Sequence, residues 1–124
     1  MTKTSKFQDT ARRVIRIEAD ALKLLEASLN DEFDRAVELI LNVKGRVVVC
    51  GMGKSGHIAR KMAATFASTG TPAQFVHPAE ASHGDLGMLT RDDVVLVLSN
   101  SGETPELGDV VSYTRRFSIP LIGV

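Results

Sequence analysis

Two short polar turns hold most of the side chains in this sequence that could do chemistry. The first is Gly51-Met52-Gly53-Lys54-Ser55-Gly56, directly after the apolar run Val47-Val48-Val49-Cys50. A strand feeding a helix through small residues leaves backbone N–H groups free at the helix start. With the positive end of the helix dipole they make a site for an anion, commonly a phosphate. Gly53, Lys54 and Ser55 are the candidates there. Lys54 is an odd residue for the place, because a cation opposes the dipole; its presence makes sense if it acts on a hydroxyl or on a developing oxyanion. The second turn, Ser99-Asn100-Ser101-Gly102-Glu103-Thr104, brings hydroxyls, an amide and another helix start after a second apolar run. Hydroxyls and free N–H groups in one turn suit a monophosphate, which presents three oxygens. Glu106 is expected at the second position of the following helix, where the dipole stabilises its carboxylate and keeps it available as a base. His77 and His83 flank a stretch of small residues, and His83 would stand near the crevice mouth. Without further ligands two histidines are a poor metal signature, so zinc is a minor option.

Other readings of the glycine turn are weaker. Gly51-x-Gly53-x-x-Gly56 matches the dinucleotide fingerprint literally. That motif also needs an acidic residue near the end of the next strand to hold a ribose hydroxyl. The next strand ends Phe75-Val76-His77-Pro78, and the nearby acid, Glu80, lies beyond the proline. A Walker phosphate loop would need a glycine where Val48 stands. Cys50, the single cysteine, ends a buried strand and reads as a small core residue.

These turns must be positioned by a framework. Apolar residues Phe7, Ala11, Val14, Ala21, Leu22, Leu25 and Leu29 recur at helical spacing over residues 5–29. Arg12, Arg13 and Arg16 lie in the first half of this helix and Glu18, Asp20 and Glu26 in the second, a solvated or subunit-facing surface. Asn30 or Asp31 is expected to cap a second helix, striped by Phe33, Ala36, Val37, Ile40 and Leu41 and closed by Lys44-Gly45. After the central strand comes a helix over 54–69, then a strand over 73–77. Residues 79–89 read as a loop with one helical turn. A strand over 93–98, a helix over 105–117 started by Thr104 as cap with Pro105, and a strand over 119–124 complete the pattern. Strands alternating with helices, apolar without alternation, predict an α/β fold with a doubly wound parallel sheet. The expected layout is one domain, with an N-terminal helical arm (1–44) and an α/β core (45–124). In such a sheet, carboxyl-end loops on either side of the switch point share one crevice. Both polar turns converge there if the first and third strands are neighbours. An apolar strand with nothing after it leaves a sheet edge uncovered, so the chain is expected to be truncated.

Composition narrows the partners. The 124 residues carry 15 basic and 15 acidic side chains, a formal net charge of zero. No overall basic field attracts nucleic acid or an anionic membrane. No apolar run approaches the roughly 18 residues of a membrane span, and no signal peptide is visible. One cysteine cannot form an internal disulfide, which fits a reducing cytoplasm.

Three strings, VVVCGMGKSGHIARKMAATFASTGTP, FVHPAEASHGDLGM and SNSGETPE, together resemble the sugar isomerase (SIS) domain family, and within it the D-arabinose 5-phosphate isomerases. The resemblance is strong over residues 46–124 and loose over the helical arm. It implies a flavodoxin-like strand order and reversible conversion of D-ribulose 5-phosphate to D-arabinose 5-phosphate through a cis-enediolate. That reaction feeds the synthesis of the lipopolysaccharide sugar 3-deoxy-D-manno-octulosonate. By resemblance Lys54 and Glu106 are catalytic, with His83 a histidine able to assist. Gly70, Thr71, His77 and His83 match substrate-contact positions, His77 also matches a zinc position, and Ser99, Asn100, Ser101, Gly102 and Thr104 belong to the phosphate loop. No cofactor is required. The implied partners are a phosphorylated pentose and further copies of the chain, as a dimer or tetramer with composite sites. Family members continue with another catalytic glutamate and histidine, and usually a pair of CBS domains, none of which is in these residues. The alternative is a sugar-phosphate-binding regulatory SIS module without catalysis, which would carry a helix-turn-helix before the sheet.

Overall fold

The computed structural model describes residues 5–124; residues 1–4 of the expected arm lie outside the described residues. Helix α1, Lys6–Ser28, starts where Ser5 Oγ accepts the Phe7 N–H at 3.3 Å. Helix α2, Asp31–Leu41, is capped by Asn30, whose Oδ1 accepts the Glu32 N–H at 3.0 Å. The chain divides into two compact units, one ending at Arg35 and the other spanning Ala36–Val124. The expected arm ran on to residue 44. The division falls earlier because Ile40 and Val43 pack against one face of the sheet and belong with it.

The second unit holds four strands: β1 Val47–Gly51, β2 Ala73–Val76, β3 Val94–Leu98 and β4 Leu121–Gly123. Their order is β2-β1-β3-β4 and every pairing is parallel. This is the expected doubly wound α/β sheet, with β1 beside β3. Successive residues of β1 point to opposite faces. Val48 and Cys50 meet Ala81, Leu107, Val110 and Ile119 on one side, while Val47 and Val49 meet Ala59, Ala63 and Phe66 on the other. Both faces are covered, which explains strands apolar at every position. Burial of each of these valines contributes about 1.5–3 kcal/mol. Helix α3, Gly53–Ser68, covers one face; α4, Pro78–Ser82, and α5, Gly108–Arg116, serve the other.

Two expectations need correction. Residues 79–89 are more helical than a loop with one turn: α4 is followed by a 3₁₀ turn, Asp85–Met88. His77 caps α4, Pro78 occupies its first turn and Ala81 is 1% exposed, so capping and burial outweigh the small-residue composition. The helix expected over 105–117 is split into a 3₁₀ turn, Pro105–Leu107, and α5. Thr104 stands at the cap position, but its hydroxyl makes no capping bond.

At the amino end of the sheet, the Asp93 carboxylate is only 3% exposed. It accepts the Arg46 N–H at 2.8 Å, the Thr90 N–H at 2.8 Å and the Thr90 hydroxyl at 3.2 Å. Gly45 N–H donates to the Asp92 carbonyl at 2.7 Å beside it. The approaches to β1 and β3 are thereby clamped in register.

Candidate functional site

The glycine turn takes its shape from packing. A Cβ on Gly56 would stand 2.7 Å from the Gly51 carbonyl oxygen, and one on Gly51 would stand 2.9 Å from the Ser55 carbonyl carbon. Strand β1 and helix α3 therefore touch backbone to backbone. Gly53 lies between them at φ +55°, a left-handed conformation that glycine adopts at little cost. This geometry leaves the amides of Gly53, Lys54 and Ser55 without an acceptor among the described residues, since the first bond of α3 runs from Gly56 N–H to the Met52 carbonyl at 3.2 Å. The cap residue, Met52, makes no side-chain capping bond either. Three unpaired donors at the positive end of a 16-residue helix suit an anion.

The second turn is different. Ser99 Oγ accepts the Gly102 N–H at 3.0 Å and pairs with Thr104 Oγ1 at 2.8 Å, while Ser101 Oγ accepts the Glu103 N–H at 3.1 Å. Two of its amides are thus engaged by its own hydroxyls. One hydroxyl proton of the Ser99–Thr104 pair remains available to a ligand oxygen.

Because Gly51 pairs with Leu98, the two turns leave the sheet side by side. Lys54, Ser55, Ile58, Leu98, Ser99 and Asn100 line one cleft of about 530 Å³ at the carboxyl ends of β1 and β3. Gly102, Glu103 and Thr104 face a neighbouring cleft of about 610 Å³, which shares Ser99. Lys54 is exposed at the second position of α3.

The remaining expected residues lie elsewhere. Glu106 is exposed on the 3₁₀ turn ahead of α5, rather than at the second position of an α-helix, and lines neither cleft. His83 is exposed at the end of α4. Gly70 and Thr71 precede β2, at the opposite end of the sheet from Lys54. His77 borders a third hollow of about 360 Å³, together with Arg60, Gln74, Glu80 and Asp85. Its Nδ1 accepts the Ala79 N–H at 3.2 Å, and no cluster of three metal-binding side chains exists among the described residues. Burial pushes the Cys50 thiol up to about 11, as befits a packed core residue rather than a nucleophile.

Asp93 is the buried charge that sequence reasoning passed over as the first residue of a strand. The available signal was Thr90-x-x-Asp93, a local pair able to bond its own backbone.

The SIS domain model matches residues 40–124. The arabinose 5-phosphate isomerase KdsD of Pseudomonas aeruginosa is 56% identical over 124 residues, all of this chain and 38% of that protein. The protein of the same name from Escherichia coli is 54% identical over 116 residues, 94% of this chain and 35% of that one. This chain therefore spans little more than a third of the length of these curated relatives. A structure from a second Escherichia coli strain, solved with arabinose 5-phosphate, superposes with a TM-score of 0.79 at 43% identity, covering 97% of this chain and 65% of that one.

Proposed function

As the chain belongs to the SIS domain family, we propose that it serves the interconversion of D-ribulose 5-phosphate and D-arabinose 5-phosphate, an aldose–ketose isomerisation that supplies lipopolysaccharide sugar synthesis. The observation that carries this reading is the shared cleft, where Lys54 and Ser55 from one turn meet Ser99 and Asn100 from the other. Relatives named arabinose 5-phosphate isomerase support it further.

In the proposed chemistry the phosphate is held by the amides at the start of α3 and the hydroxyls of the serine turn. The open-chain sugar then lies with its carbonyl carbons near Lys54. Removal of the proton beside the carbonyl gives a cis-enediolate, whose oxygen charge Lys54 stabilises. Reprotonation at the neighbouring carbon completes the exchange of aldose and ketose. A positioned cation at a developing oxyanion is worth about 3–4 kcal/mol. No Asp or Glu lines the cleft itself. The base is therefore a carboxylate brought in from outside it, with Glu106 assigned by resemblance and His83 as a candidate to assist.

A second copy of the chain belongs to this reading. Gly70 and Thr71, matched to substrate contacts, stand at the far end of the sheet from Lys54 and fit a composite site better than an internal one. Helix α1 has no buried residue and exposes Phe7, Ile15, Leu22, Leu24 and Leu25 along its length. Apolar surface of that kind marks an association face. Sedimentation should report a dimer or tetramer; a monomer at high concentration removes this part of the proposal. A lone buried cysteine suits a reducing cytoplasm, and no described helix is long and apolar enough to cross a membrane.

The test is Lys54→Ala, followed by formation of arabinose 5-phosphate from ribulose 5-phosphate. Turnover should fall about 10²- to 10³-fold with the melting temperature unchanged. Equal turnover by the variant removes Lys54 from the mechanism.

A further inference from the structure

The hollow beside β2 has a donor set that bears on the zinc position that His77 matches by resemblance. His77 is the cap residue of α4, at φ −75° and ψ 129°. Pro78 has no N–H to offer, so Ala79 supplies the first free amide of that helix, and the lone pair on His77 Nδ1 takes it at 3.2 Å. A neutral imidazole has one protonated and one bare nitrogen. With Nδ1 bare and accepting, the proton resides on Nε2. The ring plane is held in turn by Phe75, edge-on with centroids 6.4 Å apart at 75°.

We propose that His77 is a hydrogen-bond donor through Nε2–H, fixed in that tautomer by its own helix cap, and not a metal ligand. Zinc at Nε2 requires that proton to leave. Moving it to Nδ1 would set one N–H against another, that of Ala79, and undo the cap. The surroundings offer little compensation: Glu80 and Asp85 are the acids of the hollow, and no second imidazole or thiol joins them. What they do offer is a mixture of donors and acceptors. Arg60 lies over the Phe75 ring at 4.0 Å and has no carboxylate within salt-bridge distance among the described residues. Gln74 has its oxygen engaged by Arg46, which leaves its NH₂ group as a donor. Donors at Nε2, Arg60 and Gln74 facing acceptors at Glu80 and Asp85 suit hydroxyl groups, each of which gives one hydrogen bond and receives another. The occupant, a sugar hydroxyl, rests on the isomerase reading; the state of the ring does not.

Long-range proton–nitrogen NMR on the histidine rings of the ligand-free chain reads the tautomer directly. His77 should show a bare Nδ1 and a protonated Nε2 near neutral pH, while the exposed rings of His57 and His83 show averaged signals. A protonated Nδ1 overturns the proposal. His77→Asn preserves the cap, because its side-chain oxygen accepts the Ala79 N–H, but removes the outer donor. Titration with zinc chloride should then give the same affinity for wild type and variant. A loss of about ten-fold or more in the variant would make His77 a ligand after all. Titration with arabinose 5-phosphate should show about 2- to 10-fold weaker binding by His77→Asn, the loss of one neutral hydrogen bond. Equal affinity there overturns the donor role. Failure of the sugar to bind either protein, with the tautomer as stated, would count against the isomerase reading instead.

Discussion

At the amino end of the sheet the buried Asp93 carboxylate gathers three donors from two separate stretches of chain. At the carboxyl end the amides of Gly53, Lys54 and Ser55 have no partner among the described residues. The same strands, β1 and β3, run between these two environments. A satisfied buried charge holds register, whereas unpaired donors over an open cleft are held ready for something the chain does not itself supply. Parallel sheets divide their labour this way because the strands' carboxyl ends all open on one side, where loops can converge without being needed for closure. Stability and chemistry should therefore separate by sheet end.

The largest effect that would break this comparison is at the amino end. Asp93→Ala strands the amides of Arg46 and Thr90 and should lower unfolding free energy by about 3 kcal/mol, read from denaturant midpoints, whereas Lys54→Ala should leave them unmoved. Equal losses in both variants would erase the distinction between the ends. Next is the pH response of the shared strand. The Cys50 thiol rises from 9.0 to about 11 on folding, so the folded state holds its proton more tightly than the unfolded one. Stability from this group is intact below about pH 9 and declines as pH climbs toward about 11, by about 2–3 kcal/mol in all. Wild type minus Cys50→Ala should show that decline, and a flat difference would contradict the burial argument. Smaller again is the junction between the two regimes. Gly56→Ala presses a methyl against the Gly51 carbonyl and should cost about 1–3 kcal/mol. A melting temperature equal to wild type would mean that α3 does not approach β1 as closely as described.

Much of this architecture was legible in residue order. Unbroken apolar runs at Val47–Gly51 and Val94–Leu98 announce strands covered on both faces, and alternation with helices fixes the parallel sheet. The convergence of the two polar turns was legible only on the condition that β1 and β3 are neighbours, which their pairing supplies. Other features were not legible because they depend on partners distant in sequence. Asp93 reaches Arg46 across 47 positions. Thr104, expected to cap a helix, pairs its hydroxyl with Ser99 across the turn at 2.8 Å and makes no capping bond. Glu106 and His83 were grouped with Lys54 by their expected places at a helix start and a crevice mouth as well as by resemblance, and in a single chain they stand outside its cleft. The glycine pattern was legible as a turn but ambiguous as a motif; only the close approach of Gly51 and Gly56 explains two of its three glycines.

Backbone amide NMR during titration with arabinose 5-phosphate shows whether the two turns bind one ligand. Saturable shifts are expected in both turns together, at Gly53, Lys54 and Ser55 and at Ser99 to Glu103, with one shared dissociation constant. Binding that perturbs neither turn, or one turn without the other, would contradict it.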